Sequence, residues 1–280
     1  MRIFHTIKDL QNTLKLHNSS ILGFVPTMGA LHNGHLQLVK KAKELSDVVI
    51  VSIFVNPTQF NNPEDFAKYP NTLSEDIEKL KSTGCDILFA PNSEEMYPNG
   101  FSNIKFDFGN LERVMEGKFR PGHFSGVGVV VSKLFNIVKP NKVFFGQKDF
   151  QQCAVIKQLI ADLNFDIEMY TCPTVRETSG LAMSSRNMRL SEIGKNTAAN
   201  IYRILKTGET VLKETLSVEL SLESMQNKLN STPEITLEYL EIVNPKTLES
   251  QKKHTDESVI CFAGFVEGIR LIDNIVVKND

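Results

Sequence analysis

The chain has 280 residues, 41% hydrophobic and 23% charged, with a formal net charge of -2, which is ordinary globular composition for one large domain or two modest ones. Acids and bases are interspersed, with no basic arm or stripe, which argues against nucleic acid as a partner. Met1 to Leu10 has neither a long apolar core nor a small-residue cleavage site, so a secretory signal is not expected. The most apolar run, Val48 to Val55, is too short to span a bilayer, and no membrane partner is expected.

Taken in order, the first half alternates strand and helix signals. Ile21 to Val25 is a short apolar run ending at Pro26 and reads as a strand. A glycine-containing loop to Gly34 leads into Leu36, Val39, Ala42 and Leu45, which recur at helical spacing. The β-branched run Val48 to Val55, stopped by Asn56-Pro57, reads as the next strand. Together these make a strand–loop–helix–strand unit, which implies parallel strands and a right-handed crossover. Thr72 and Glu75 have capping-box spacing, opening a helix toward Thr83. Asp86 to Ala90 is a strand, Val127 to Val138 a buried helix despite its β-branched residues, and Val143 to Phe145 a strand. A helix over roughly Phe150 to Ala161 and a strand over Phe165 to Tyr170 complete the alternation, which fits an open doubly wound sheet. After Cys172 the style changes. Helical segments run over Ala198 to Leu212 and Leu220 to Leu229, and extended ones over Ile235 to Val243, Ser258 to Phe265 and Ile269 to Ile272. The expected fold is therefore α/β, a Rossmann-like doubly wound parallel sheet over 1–173 with a smaller α+β C-terminal domain over 174–280. Pro173 to Asn187 is the expected junction.

Five segments carry chemistry. The first is Pro26-Thr-Met28-Gly29-Ala30-Leu31-His32-Asn33-Gly34-His35, between a parallel strand and a helix. A helix start there offers free N–H groups and a positive dipole end to phosphate. The two glycines allow close approach or positive φ, and either imidazole can donate to a phosphate oxygen. A turn-and-cap role or a metal pair is the alternative, but no nearby acid completes a metal set. The second is Val55 to Asn61, continuing to Tyr69-Pro70, where Gln59 has a donor and an acceptor suited to a hydroxy acid. The third, Phe119 to Val127, presents Arg120 from a Pro-Gly turn just before a helix. In the fourth, Phe145-Gly146-Gln147-Lys148-Asp149-Phe150-Gln151-Gln152, Lys148 can neutralise phosphate charge, and Asp149 can bind a ribose hydroxyl or cap the helix. The fifth, Pro173 to Asn187, ends in Met183-Ser184-Ser185-Arg186, where short hydroxyl donors precede a forked cation.

His32-x-Gly-His35 resembles the H-x-G-H signature of the nucleotidyltransferase superfamily, which includes the class I aminoacyl-tRNA synthetases. The longer string from Pro26, with the four segments that follow in the same order over roughly Gly23 to Asn187, resembles the pantothenate synthetase family. Asn71 stands where that family usually has Arg, Ser179 where it has Asp, Arg189 where it has Tyr, and Gln147 where Glu is common. The resemblance implies an ATP-dependent ligase that condenses pantoate with β-alanine through a pantoyl-adenylate, releasing pyrophosphate and AMP. It implies ATP binding by Met28 to His35, Gly146 to Asp149, Val175 and Met183 to Arg186. Gln59 and Gln152 would bind pantoate, and Arg120 would lie near the phosphates. His32, His35, Lys148 and Arg186 would stabilise charge growing on the phosphates. Mg2+ would accompany ATP, with no protein ligand assigned; Glu75 and Asp76 suit a helix's first turn equally well. A homodimer is implied by the family. A cytoplasmic location follows from Cys85, Cys153, Cys172 and Cys261, which are scattered without a C-x-x-C pair. Another adenylyltransferase of the H-x-G-H type and a non-catalytic nucleotide-binding module are the rival readings.

Overall fold

The computed structural model describes residues 1–61 and 63–279. In chain order the N-terminal elements are β1 (Arg2–Phe4), α1 (Ile7–Leu14), β2 (Leu22–Thr27), α2 (Asn33–Leu45), β3 (Val48–Ile53), α3 (Pro63–Ala67), α4 (Leu73–Lys81), β4 (Ile87–Phe89), α5 (Ser93–Met96), α6 (Met115–Phe119), α7 (His123–Val138), β5 (Lys142–Gly146), α8 (Phe150–Asp162) and β6 (Glu168–Cys172). The remainder is α9 (Glu192–Thr215), α10 (Val218–Asn230), β7 (Thr236–Val243), β8 (Glu257–Val266) and β9 (Ile269–Lys278).

The six strands β1 to β6 form one sheet in the order β1-β4-β3-β2-β5-β6, and every pairing is parallel. Successive residues of β3 enter different cores. Val48 and Ile50 pack with α1, α7 and α8 on one face, Val49 and Val51 with α2 and α4 on the other. That is why this run is continuously apolar rather than alternating. Strand order reverses at β2: the chain moves outward through β3 and β4, then returns to lay β5 on the opposite side of β2. Such a reversal leaves a crevice at the strands' carboxyl ends. Pro26 lies within β2 instead of ending it. Leu22 O accepts from Asn141 N on the β5 side, so pleat alternation turns Phe24 and Pro26 to that side too. The last β2–β5 pair is Phe24–Val143, so the missing proline N–H costs no ladder bond.

The C-terminal part is a three-stranded antiparallel sheet, β7-β8-β9, backed by α9 and α10 over its own apolar cluster. A further cluster joins Met115 and Phe150 to Tyr239, Val259 and Cys261, packing the smaller sheet against the larger part. No helix among the described residues is long and apolar enough to cross a membrane.

Several boundaries differ from the sequence reading. The strand expected at Phe165 to Tyr170 is Glu168–Cys172, because Phe165 packs against Phe135 under the preceding turn. Strand β9 runs to Lys278, past the expected Ile272. The Thr72–Glu75 capping box does not form. Thr72 caps α4 without a side-chain bond to the helix backbone, and its hydroxyl donates instead to Asp76 Oδ2 at 3.2 Å. Strand β1 and helix α1 lie outside the sequence reading, since a strand of three residues is too short to show a pattern.

Candidate active site

Both phosphate-type segments sit at the reversal point, one after β2 and one after β5. Beyond β2 the chain passes through Gly29 and Ala30 with φ of 81° and 50°, then starts α2 at His32. The helix start is closed by its own histidines. His32 Nδ1 accepts from Gly34 N at 3.2 Å, and His35 Nδ1 accepts from His32 N at 3.3 Å, a capping box made of imidazoles. The rings lie 4.1 Å apart between centroids. Because each Nδ1 is an acceptor, the proton of each neutral ring is assigned to Nε2. Burial, followed by the charge of Lys148, lowers His32 to about 4. Burial and the neighbouring His32 and Lys148 hold His35 well below the usual histidine range. At neutral pH the pair therefore presents two uncharged N–H donors. A Cβ on Gly34 would meet the His32 ring at 2.9 Å, so the paired rings need glycine there.

From sequence, Asp76 reads only as a first-turn acid. Its side chain is fully buried and accepts from Ala30 N and Leu31 N, each at 2.8 Å.

The wall beside the turn is built on Asn56, which in the sequence is only a strand stop. Buried, it donates to Gln59 Oε1 at 3.2 Å and Gly126 O at 3.3 Å, and accepts from the Tyr97 hydroxyl at 2.9 Å. Helix α7 comes so close that a Cβ on Gly126 would lie 2.5 Å from Thr58 O. His123 Nδ1 donates to Gln59 O at 2.8 Å; burial and then Arg120 push its pKa down to about 3, leaving it neutral. Gln59 is thus held by backbone and side chain, with Nε2 2.8 Å from Met28 Sδ. Arg120 is mostly buried, 3.5 Å from Glu116. Glu116 is gripped by Arg270 of β9 through two bonds of 2.9 and 2.7 Å. Burial opposes ionisation there, but the bonds and charge of Arg270 bring Glu116 down to about 2.

After β5, Lys148 Nζ lies 3.5 Å from Asp149 Oδ1. Asn274 of β9 donates to Gln147 O and Lys148 O, each at 3.0 Å, so the C-terminal sheet holds this turn. Arg176 reaches the buried Asp273 through bonds of 2.6 and 2.9 Å. In the last segment Ser184 Oγ accepts from Arg186 N at 3.2 Å, and Ser185 Oγ is 3.4 Å from the Tyr69 hydroxyl. Arg186 and Arg189 both donate to Asp65, at 2.7 and 3.0 Å. Burial opposes it, but the bonds and charges of these two arginines hold Asp65 below the usual carboxylate range. Nothing in the sequence singles out Asp65, which lies in an acidic helix start that looks like solvated surface.

Three adjoining cavities result. One of about 160 Å³ is lined by Met28, His32, Gly34, His35, Gly146, Lys148, Val175, Met183, Ser184 and Ser185. A second, of about 170 Å³, has Gln59, Gln152, His35 and Arg120 at its polar side and Phe54, Val127, Val130, Val131 and Leu134 as an apolar wall. Asp149 and Arg186 line both, and also a wider vestibule of about 520 Å³ against the C-terminal sheet. The vestibule is the largest space, but the phosphate-type donors converge on the smaller two. Gly29, Ala30, Leu31, Asn33 and Gln147 line none of the three. The amides of Ala30 and Leu31 point at Asp76, and Gln147 Nε2 donates to Asn274 Oδ1 at 3.3 Å. Among the described residues, no group of three or more His, Cys, Asp or Glu could hold a metal ion.

Comparison with known proteins is consistent along the whole chain. The sequence pattern of the pantoate-beta-alanine ligase family matches residues 2–276. A pantothenate synthetase of Cytophaga hutchinsonii is 54% identical over 266 residues, 94% of this chain and 93% of the relative. The crystal structure of pantothenate synthetase from Thermus thermophilus superposes with a TM-score of 0.94 at 42% identity, covering 98% of this chain and 99% of that one. A pantoate-beta-alanine ligase from Francisella tularensis, complexed with beta-gamma ATP and beta-alanine, has a TM-score of 0.84 at 42% identity, covering 99% and 97%.

Proposed function

The chain belongs to the pantoate-beta-alanine ligase family, and we propose that it joins pantoate to β-alanine by way of a pantoyl-adenylate formed from ATP in the cleft at the β2–β5 reversal. The observation that carries this reading is the adjacency of two small cavities that share Asp149 and Arg186. One has a row of phosphate-type donors. The other pairs two amides with a branched apolar wall, which suits a compact hydroxy acid with geminal methyls.

ATP lies along the residues of these segments that line the first cavity, Met28, His32, Gly34, His35, Gly146, Lys148, Asp149, Val175 and Met183 to Arg186, with its α-phosphate toward the second cavity. A Cβ on Gly146 would meet nothing in the protein, which supports a ligand approaching that backbone closely. Gln59 and Gln152 hold pantoate, and Arg120 contributes positive charge near the phosphates. The pantoate carboxylate oxygen attacks the α-phosphorus, the bond to the bridging oxygen of the β-phosphate breaks, and pyrophosphate leaves. The Nε2–H groups of His32 and His35, with Lys148 and Arg186, stabilise the charge that develops. The uncharged amine of β-alanine, entering by the vestibule, then attacks the acyl carbon; AMP leaves and the amine gives up a proton. Orientation, and exclusion of water from the mixed anhydride, are the protein's main contributions.

Two acids near the phosphate-type donors, the buried Asp76 and the partly exposed Asp65, do not fit a protein-held metal, since Asp76 is bonded to two amides and Asp65 to two arginines. Mg2+ accordingly arrives on the phosphates of ATP. We further propose a division at 173/174 with the C-terminal part as a lid, a cytoplasmic location and a homodimer.

Pantoate labelled with heavy oxygen in its carboxylate tests the chemistry. One label should appear in AMP once β-alanine completes the reaction, because the oxygen bridging carbon and phosphorus departs with the phosphate. Label in inorganic phosphate together with ADP would overturn the adenylate route.

A further inference from the structure

We propose that Asp76 is a positioning residue for the reaction: it fixes the turn before His32 and thereby sets where the two imidazole N–H groups point. An acid in a helix's first turn is ordinarily explained by the helix dipole. Here both carboxylate oxygens are committed to another segment, Oδ2 to Ala30 N and Oδ1 to Leu31 N, each at 2.8 Å. Thr72 Oγ1 donates to the same carboxylate at 3.2 Å. Lys79, one turn along α4, donates to Leu31 O at 2.8 Å and lies 3.9 Å from Asp76. Both peptide faces of Leu31 are therefore held by α4.

The place held is the one that most needs holding. Gly29 and Ala30 are both left-handed, at φ 81° and 50°. For alanine that conformation persists only where the surroundings over-determine it. Two residues after Ala30 comes His32, whose N–H is the donor that sets the His35 tautomer. A shift of the Leu31 peptide would therefore reach both rings within one residue, and displacement of about 1 Å in such a group can cost on the order of 10²-fold in rate. Asp76 touches no cavity that holds substrate in the proposed reading, so it acts through the histidines. The inference rests on those histidines serving the phosphates.

The test is Asp76→Asn in the full chain, with nitrogen-15 labelled histidine. An amide at 76 can accept from only one of the two N–H groups and turns its own donors toward the other. The unvaried protein should show both rings as the Nε2–H tautomer at pH 7. In Asp76→Asn these signals should move toward a tautomer mixture, and kcat should fall roughly 10- to 100-fold, by more than KM for pantoate changes. Asp86→Asn is the structural control. Asp86 also accepts a backbone N–H, Val49 N at 2.8 Å, and pairs with Lys43 at 3.0 Å, so its loss should lower Tm without moving the histidine signals. Unchanged histidine signals in Asp76→Asn, equal movement in Asp86→Asn, or moved signals with normal kcat would each overturn the proposal. If Asp76→Asn does not fold, Lys79→Met keeps the carboxylate and frees Leu31 O. The same signals should then move with a smaller fall in kcat, and static signals would overturn the idea. Because the tautomer measurement needs no substrate, its failure is distinct from failure of the pantoate reading, which His35→Ala probes.

Discussion

The turn after β2 and the Ser184–Arg189 segment face each other across the cleft and are held in opposite ways. In the turn, the imidazoles accept from backbone N–H groups, the amides before them bind a buried carboxylate, and the donors that remain are uncharged. In the other segment the guanidinium of Arg186 is held by Asp65, and both side chains are more than a quarter exposed. Ion pairs open to solvent contribute only about 0–1 kcal/mol, so Asp65 can be exchanged for another anion at little cost. The turn has no such freedom, because moving it would strand buried donors at roughly 1–3 kcal/mol each. One wall supplies fixed geometry and the other transferable charge.

Substitutions test that contrast, beginning with the fixed wall. His35→Ala is expected to lower turnover by more than ~10²-fold, as loss of a preorganised donor typically does, with the fold kept. Near-normal turnover in a steady-state assay would remove the histidine from the chemistry. Gln59→Ala and Gln152→Ala should weaken pantoate about tenfold to a hundredfold while leaving ATP nearly unaffected. Calorimetric titration of each ligand decides this, and equal losses for both ligands would mean that the two cavities are wrongly divided.

Acid should act on the neutral rings before the carboxylates. His32 at about 4 lies below its ordinary 6.5, and His123 at about 3 does likewise. Above 6.5 neither folded nor unfolded rings carry a proton. Below it only the unfolded chain does, so their contribution is complete above 6.5 and is lost as pH falls toward 4. Glu116, lowered to about 2 from 4.5, gives way only below 4.5. Denaturant unfolding should show stability level from pH 7 to 6.5 and falling from there to pH 4, by up to about 1.4 kcal/mol per pH unit for each ring. A flat profile there would contradict burial of uncharged imidazoles.

On the movable wall the effect is smaller. Asp65→Asn removes the competitor for Arg186, so KM for ATP should fall by no more than about fivefold. A rise of tenfold or more would mean that the pair holds Arg186 in its working position. His17, in a turn outside every site element, should tolerate alanine without change in activity.

What could be read in the sequence was whatever repeats locally. Helical spacing located α2 and α8, and the β-branched run located β3. The order of motifs identified the segments that meet at the cleft. Long-range partners could not be read. The pairing of Asp65 with Arg186 and Arg189 spans more than a hundred residues, and nothing in Glu64-Asp65 distinguishes it from solvated surface. Asp76 follows the same pattern, since a first-turn acid has a sufficient local explanation. Arg189 looks like a departure from the family pattern, and the structure gives it a partner in Asp65. Asn274, which supports the Lys148 turn, lies 126 residues away from it, in a part of the chain that none of the five motifs covers.

Pro26 lines both small cavities. Facing β5 just past the last pair, it has no hydrogen to offer that strand. Two neighbouring parallel strands of this length would ordinarily zip onward to their ends, but here the zipper lacks a tooth. No ladder bond donated by residue 26 can therefore close the gap between the strand tips, where the two small cavities meet.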